Sequence, residues 1–155
     1  MSFNRSVNAA AMLLVLAFSL SGATSDQLRQ FDEFGDLNCE DEYARLDNLA
    51  LQLQNEPNAK AVIVFYGGRR FRGRLPKRDE AASRAARLKP YLVQRRGIPA
   101  ERVQVIDGGY KEEFQIQLWV IPIEVQMPLP DPTIQAKGIK FQKGKANARQ
   151  FKCQI

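Results

Sequence analysis

The sequence predicts an α+β fold: a two-layer sandwich in which a mixed sheet of about four strands carries two helices on one face, in the order β-α-β-α-β-β. Three observations predict it. Ala61 to Tyr66 is an unbroken apolar run without alternation, the composition of a strand covered on both faces. Cys39 to Gln54 and Glu80 to Arg96 repeat their apolar positions every three or four residues, as amphipathic helices do. Phe114 to Val120 alternates apolar Phe114, Ile116, Leu118 and Val120 with Gln115, Gln117 and Trp119, as a half-covered antiparallel strand does. A length of 155 residues suits one domain.

The elements follow in order. Gln30 to Phe34 reads as a short edge strand, ended by Gly35 and the polar Asp36 and Asn38. Asn38 is placed to cap the first helix, whose first turn holds Glu40, Asp41 and Glu42 at the positive end of the helix dipole. Its buried stripe is Tyr43, Leu46, Leu49, Ala50 and Leu53, and Pro57 ends it. The central strand should stop at Gly67-Gly68, giving way to an irregular basic loop from Arg69 to Arg78 that contains Gly73 and Pro76. Asp79 should cap the second helix, with Ala82, Ala85, Leu88 and Leu92 on one face and Gly97 at its end. Pro90 inside that helix implies a kink or an early stop. Val103 to Ile106 is a further short strand, and Gly108-Gly109 is expected to turn the chain. Beyond Pro122 the prolines forbid a central strand, so residues 123–155 read as an extended linker and a basic, tethered tail.

The N-terminus reads as an address. Arg5 lies in a polar start, Ala9 to Leu20 is apolar, and Ser21-Gly22-Ala23 suits a signal peptidase, so residues 1–23 are expected to be a cleaved signal peptide. The run falls short of the roughly 20 apolar residues that a spanning helix needs. The mature chain, with its domain at residues 24–122, is therefore expected to be secreted or periplasmic, with no transmembrane segment. Cys39 and Cys153 are the two cysteines, and an oxidising compartment predicts a disulfide between them. Two free or intermolecular thiols are the alternative.

The inventory excludes most catalytic machinery. There is no histidine, which removes Ser-His and Cys-His nucleophile pairs, zinc helices and imidazole shuttles. Neither a metal site nor a cofactor is implied. Glu112 and Glu113 are adjacent, so on a strand they point to opposite faces and cannot flank one glycosidic bond. No catalytic residue is assigned, and a non-enzyme is expected. Charge is the positive signal: residues 26–56 carry 9 acidic and 2 basic side chains, and residues 57–111 carry 14 basic and 4 acidic. An acidic face and a strongly basic one follow.

Four segments carry a family resemblance: Leu46-Asp47-Asn48-Leu49-Ala50, the strand Val62 to Phe65, the helix Arg84 to Val93, and Gly97 to Val103. Over roughly residues 28–122 the chain resembles the OmpA-like domain, a peptidoglycan-binding module of outer-membrane and flagellar-stator proteins. In that family an aspartate after the central strand and an arginine early in the second helix hold diaminopimelate. Arg84 matches the arginine, and a guanidinium clamps a carboxylate through two parallel hydrogen bonds. Where the family has its aspartate, this chain has Gly67-Gly68 and then Arg69-Arg70.

The candidate ligand-binding residues are therefore Arg84, with Gly67 and Gly68 offering backbone amides to an anion, and Arg69 and Arg70 beside them. The expected partner is peptidoglycan or another anionic envelope polymer, with an acidic protein surface as a further one; nucleic acid does not suit an exported chain. The competing reading is a secreted protein-interaction or structural domain that keeps the fold and has lost glycan binding.

Overall fold

The computed structural model describes residues 28–127 and 129–153; the expected signal peptide and its cleavage site lie outside them. Four strands and a broken helical layer follow in order: β1 (Arg29–Phe34), α1 (Cys39–Asn55), β2 (Ala59–Arg70), α2 (Glu80–Ala85), α3 (Leu88–Pro90), β3 (Val103–Glu113) and β4 (Gln115–Pro122). The sheet order is β1-β4-β2-β3. β2 is parallel to β3 and antiparallel to β4, and β1 is antiparallel to β4, so the sheet is mixed as expected. Among the described residues no helix is long and apolar enough to cross a membrane.

Alternation along β2 explains its apolar run. Ala61, Ile63 and Phe65 join the helix-side core with Leu46, Leu49 and Leu53 of α1 and Leu88 and Leu92. Val62, Val64 and Tyr66 face the other way and pack with Ile121, Trp119 and Met127. Central strands buried on both faces have no solvated positions to fill with polar residues. α1 begins as read: the Asn38 side chain accepts from the Asp41 amide at 2.9 Å. Its C-terminus lacks a basic residue of its own. Arg102 supplies the cation, donating to the carbonyls of Leu53, Glu56 and Ala59 at 2.7 to 2.8 Å.

Four local expectations need correction. β2 does not stop at Gly67-Gly68 but runs on to Arg70, paired there with β3 alone. β3 and β4 lie on opposite sides of β2, so the chain must pass over the end of β2 at Phe114. A Cβ on Gly68 would sit 2.6 Å from the Phe114 amide nitrogen and 2.5 Å from the Arg70 carbonyl oxygen, so the crossing needs glycine. Gly108-Gly109 likewise does not turn the chain. Asp107 to Tyr110 spans one residue more than its partner segment Phe65 to Gly67, a bulge with Gly109 at φ +84°.

The basic loop is more regular than its composition suggests. Phe71 and Arg74 exchange both backbone hydrogen bonds, at 2.8 and 3.0 Å, around Arg72 and Gly73 at positive φ. This is the primed turn that fits strand twist. Asp79 stands at the N-cap in the left-handed conformation, its carbonyl accepting from the Ser83 amide at 2.9 Å, but its side chain makes no capping hydrogen bond and pairs with Lys145 at 2.7 Å instead. The second helix is interrupted after Ala85, resumes at Leu88–Pro90 and passes into a π turn at Tyr91–Arg95. Pro90 brings no N–H to the ladder, which accounts for irregularity at this point. Gly97 then stops the helix at φ +69°, and the Ile98 amide returns to the Leu92 carbonyl at 3.0 Å.

Candidate functional site

The candidate residues fall in two places, Gly67, Gly68, Arg69 and Arg70 on the last residues of β2 and Arg84 near the end of α2. Arg84 lies on α2 with its side chain 12% exposed. Its guanidinium donates to Asp36 at 2.7 Å and approaches Glu80 one helical turn away at 3.5 Å. It also lies over the Phe71 ring at 3.8 Å and the Phe151 ring at 4.4 Å, with Phe114 at 5.8 Å. Asp36 comes from the β1–α1 loop and contacts the arginine directly. Asp36 also pairs with Arg72.

Glu80 is the acid at the centre of this cluster. Its side chain is 4% exposed and accepts two hydrogen bonds from Arg74, at 2.6 and 3.0 Å, and one from the Lys77 amide at 2.9 Å. Burial works to raise its pKa, but these hydrogen bonds and the charges of Arg74 and Arg84 outweigh it and hold the carboxyl below its ordinary value. Burial pushes the Arg84 guanidinium down from its ordinary value against the pull of Asp36 and Glu80.

Gly67 and Gly68 are buried and paired with Tyr110 and Lys111 of β3. A Cβ on Gly67 would meet the Tyr110 ring at 2.6 Å, so that glycine seats an aromatic ring on the sheet. Gly67 and Gly68 do border a cavity with Lys77, Asp107 and Tyr110, of about 70 Å³. That is room for a few waters, far less than the roughly 300 Å³ at which ligand clefts begin. Arg69 and Arg70 are exposed at the end of β2; Arg69 pairs with Glu112 at 3.0 Å, and Arg70 donates to the Gly73 carbonyl at 3.2 Å. The structure thus places Arg69 and Arg70 on the surface and Arg84 within an internal cluster.

The tail completes the arrangement. Thr133 and Ile134 donate to the Tyr110 carbonyl, each at 3.0 Å, Gln142 to the Pro76 carbonyl at 3.0 Å and Ala146 to the Arg78 carbonyl at 2.8 Å. The predicted disulfide joins Cys39 to Cys153, 114 residues apart. This course lays Lys140, Lys143 and Lys145 alongside the end of the basic loop at Pro76 and Arg78, while Arg149 and Lys152, also exposed, follow it onto the second helix, where Lys152 borders a cleft with Tyr91 and Arg95. Two basic stretches, separated in sequence by more than 60 residues, become one face. Arg78 stacks over Phe141 at 4.9 Å, and Lys145 is held by Asp79. Among the described residues Lys77, Lys140, Lys143, Arg149 and Lys152 have no ion-pair partner.

Sequence reasoning left Asp36, Glu80 and Phe151 out of the site and read Phe71 as part of the basic, aromatic-interleaved run from Arg69 to Arg78, not as a partner of Arg84. Phe71 carried the one available signal, an aromatic in the midst of arginines. No group of three or more metal-ligating side chains occurs among the described residues. No protein-family model and no curated protein matches the chain.

Proposed function

We propose that this protein is an exported, non-catalytic module that binds an anionic envelope polymer through the basic face formed by residues 69–78 and the docked tail. One observation carries the reading: backbone hydrogen bonds at Pro76 and Arg78 fix the tail beside the basic loop. That gathers exposed cations which composition leaves scattered, and an array of this kind attracts a polyanion, with an attraction that salt screens. Peptidoglycan enters as a candidate polymer through the resemblance. Arg84, already occupied by Asp36 and Glu80, supports binding by acting on the scaffold beneath Phe71 and Arg72, not by touching the polymer.

A second reading, a protein-interaction domain without glycan binding, is favoured by the same closure of Arg84 and by the small cavity at Gly67 and Gly68. Retention of the mature chain on purified sacculi, at low and at physiological salt, separates the two. The polymer reading expects retention at low salt that falls with salt and drops on Arg70→Ala and on Lys143→Ala. An absence of retention at low salt would move the conclusion to the second reading. Salt-resistant retention lost only on Arg84→Ala would replace the face with a specific pocket.

A further inference from the structure

We propose that residues 139–153 are a strap latched by the Cys39–Cys153 disulfide over the Asp36–Arg84–Glu80 cluster, and that releasing the bond exposes Arg84 while the sheet and helices stay folded. The two ends of the latch flank the cluster. Cys39 opens α1 three residues after Asp36, and Cys153 follows Phe151 by two residues. Phe151 is the strap's contribution to the cluster: its ring lies 4.4 Å from the Arg84 guanidinium, and its carbonyl accepts from Arg87 at 2.8 Å. Without it, Arg84 keeps Phe71, Phe114, Asp36 and Glu80 and loses its cover.

The strap is separable from the core. Every buried residue of the helix-side core lies between Phe34 and Val120. The strap's own buried apolar residues, Ile139 and Ala146, belong to neither core cluster. Apart from one short 3-10 turn, Ala148–Phe151, closed by a capping box between Asn147 and Gln150, it has no regular structure. Its backbone is attached through Gln142 to Pro76, Ala146 to Arg78, and Phe151 to Arg87, with the Gln142 side chain donating to the Leu75 carbonyl at 2.7 Å.

These hydrogen bonds, with the Lys145–Asp79 pair and the packing of Phe141 on Arg78 and Tyr110, set where the strap lies, but do not by themselves offset the ordering of so long an irregular segment, whose conformational entropy is lost residue by residue. The covalent bond does, because it ties the strap's far end to the start of α1 and so removes most of the chain entropy that a tail held at one end alone would lose on docking. A further sign that closure is imposed on Arg84 is its Nε, which is buried with no protein acceptor among the described residues.

Release is an ordinary exchange. A dithiol reductant attacks one sulfur, passes through a mixed disulfide and leaves as its own disulfide. Two electrons and two protons are then held by Cys39 and Cys153 as thiols.

The test is the reactivity of Arg84 toward phenylglyoxal, read by peptide mass spectrometry on the mature chain, with hydrogen exchange of the β2 and β4 amides measured in parallel. With the bond intact Arg84 should be protected; after dithiothreitol, or in Cys153→Ser, its modification should quicken at least tenfold while the β2 and β4 amides keep their protection. Phe151→Ala with the bond intact should give a smaller rise. Protection of Arg84 unchanged by reduction would overturn the proposal. So would collapse of β2 and β4 protection on reduction, since the bond would then staple the core and not a strap. No polymer is present in this assay, so its failure is distinguishable from failure of the polymer reading.

Discussion

Glu80 gathers more of the local electrostatics than any other acid near the candidate site, since Arg74, Arg84 and the Lys77 amide all act on one buried carboxyl. Its pKa is lowered in the folded chain, so its contribution to stability is present above the ordinary glutamate value of 4.5 and is lost as pH falls through the lower folded value. Acid titration of wild type and Glu80→Gln, followed by circular dichroism, should show the wild type losing its advantage in that window. At neutral pH the variant should be less stable by about 2 kcal/mol, the scale of a hydrogen-bonded charge removed from its partners. Equal stability of the two at pH 7 would contradict the assignment.

The glycines divide by what a methyl group would meet. On Gly67 it meets the Tyr110 ring, which can shift; on Gly68 it meets backbone of Arg70 and Phe114, which cannot without moving the strand crossing. Gly67→Ala should therefore cost about 1 to 3 kcal/mol, the range for an overpacked core, and Gly68→Ala distinctly more, measured by chemical denaturation. Arg84 itself was legible as a singular residue, but its partners were not: Asp36 lies 48 positions away and Phe151 67, and periodicity carries no information about such pairs.

Among the elements, those governed by local rules were legible. Asn38, the acidic first turn and the stripe from Leu46 to Leu53 placed α1 almost to the residue, because a cap and a 3.6-residue period act within one turn of chain. β2 and β3 were read too short, at Gly67-Gly68 and at Gly108-Gly109. Glycine pairs usually punctuate, and only the crossing of Phe114 and the Tyr66 ring beside Gly108 make them strand positions here.

Asp47, Gly97 and Arg102 are joints between elements. Asp47 accepts from the Tyr91 hydroxyl at 2.7 Å and pairs with Arg96, Gly97 ends the helix, and Arg102 caps α1. Arg102→Ala leaves the Leu53 and Glu56 carbonyls at the α1 terminus, and the Ala59 carbonyl that opens β2, without their cation and should cost about 2 kcal/mol or more by denaturant titration. A loss within 0.5 kcal/mol of zero, the range of surface substitutions, would show that solvent serves those carbonyls as well.

At the scale of the whole molecule, the α+β class and mixed sheet followed from one doubly buried strand and two amphipathic helices, while strand order depends on contacts far apart in sequence. The disulfide was legible from the two cysteines and the export that the N-terminal sequence leads one to expect. It closes a loop of more than 100 residues, for which the chain-entropy model gives about 4 to 5 kcal/mol. The joining of the two basic stretches was not legible, because the tail has no periodicity and is positioned by backbone hydrogen bonds and the covalent link.

That joined face is the central claim, and the salt dependence of retention on purified sacculi tests it most directly. Log affinity should fall linearly with log salt, and Lys77→Gln, Lys140→Gln and Lys143→Gln combined should flatten the slope by roughly one unit for each polymer-contacting charge removed. An unchanged slope in the triple variant, or no retention of the wild type at low salt, would contradict the account.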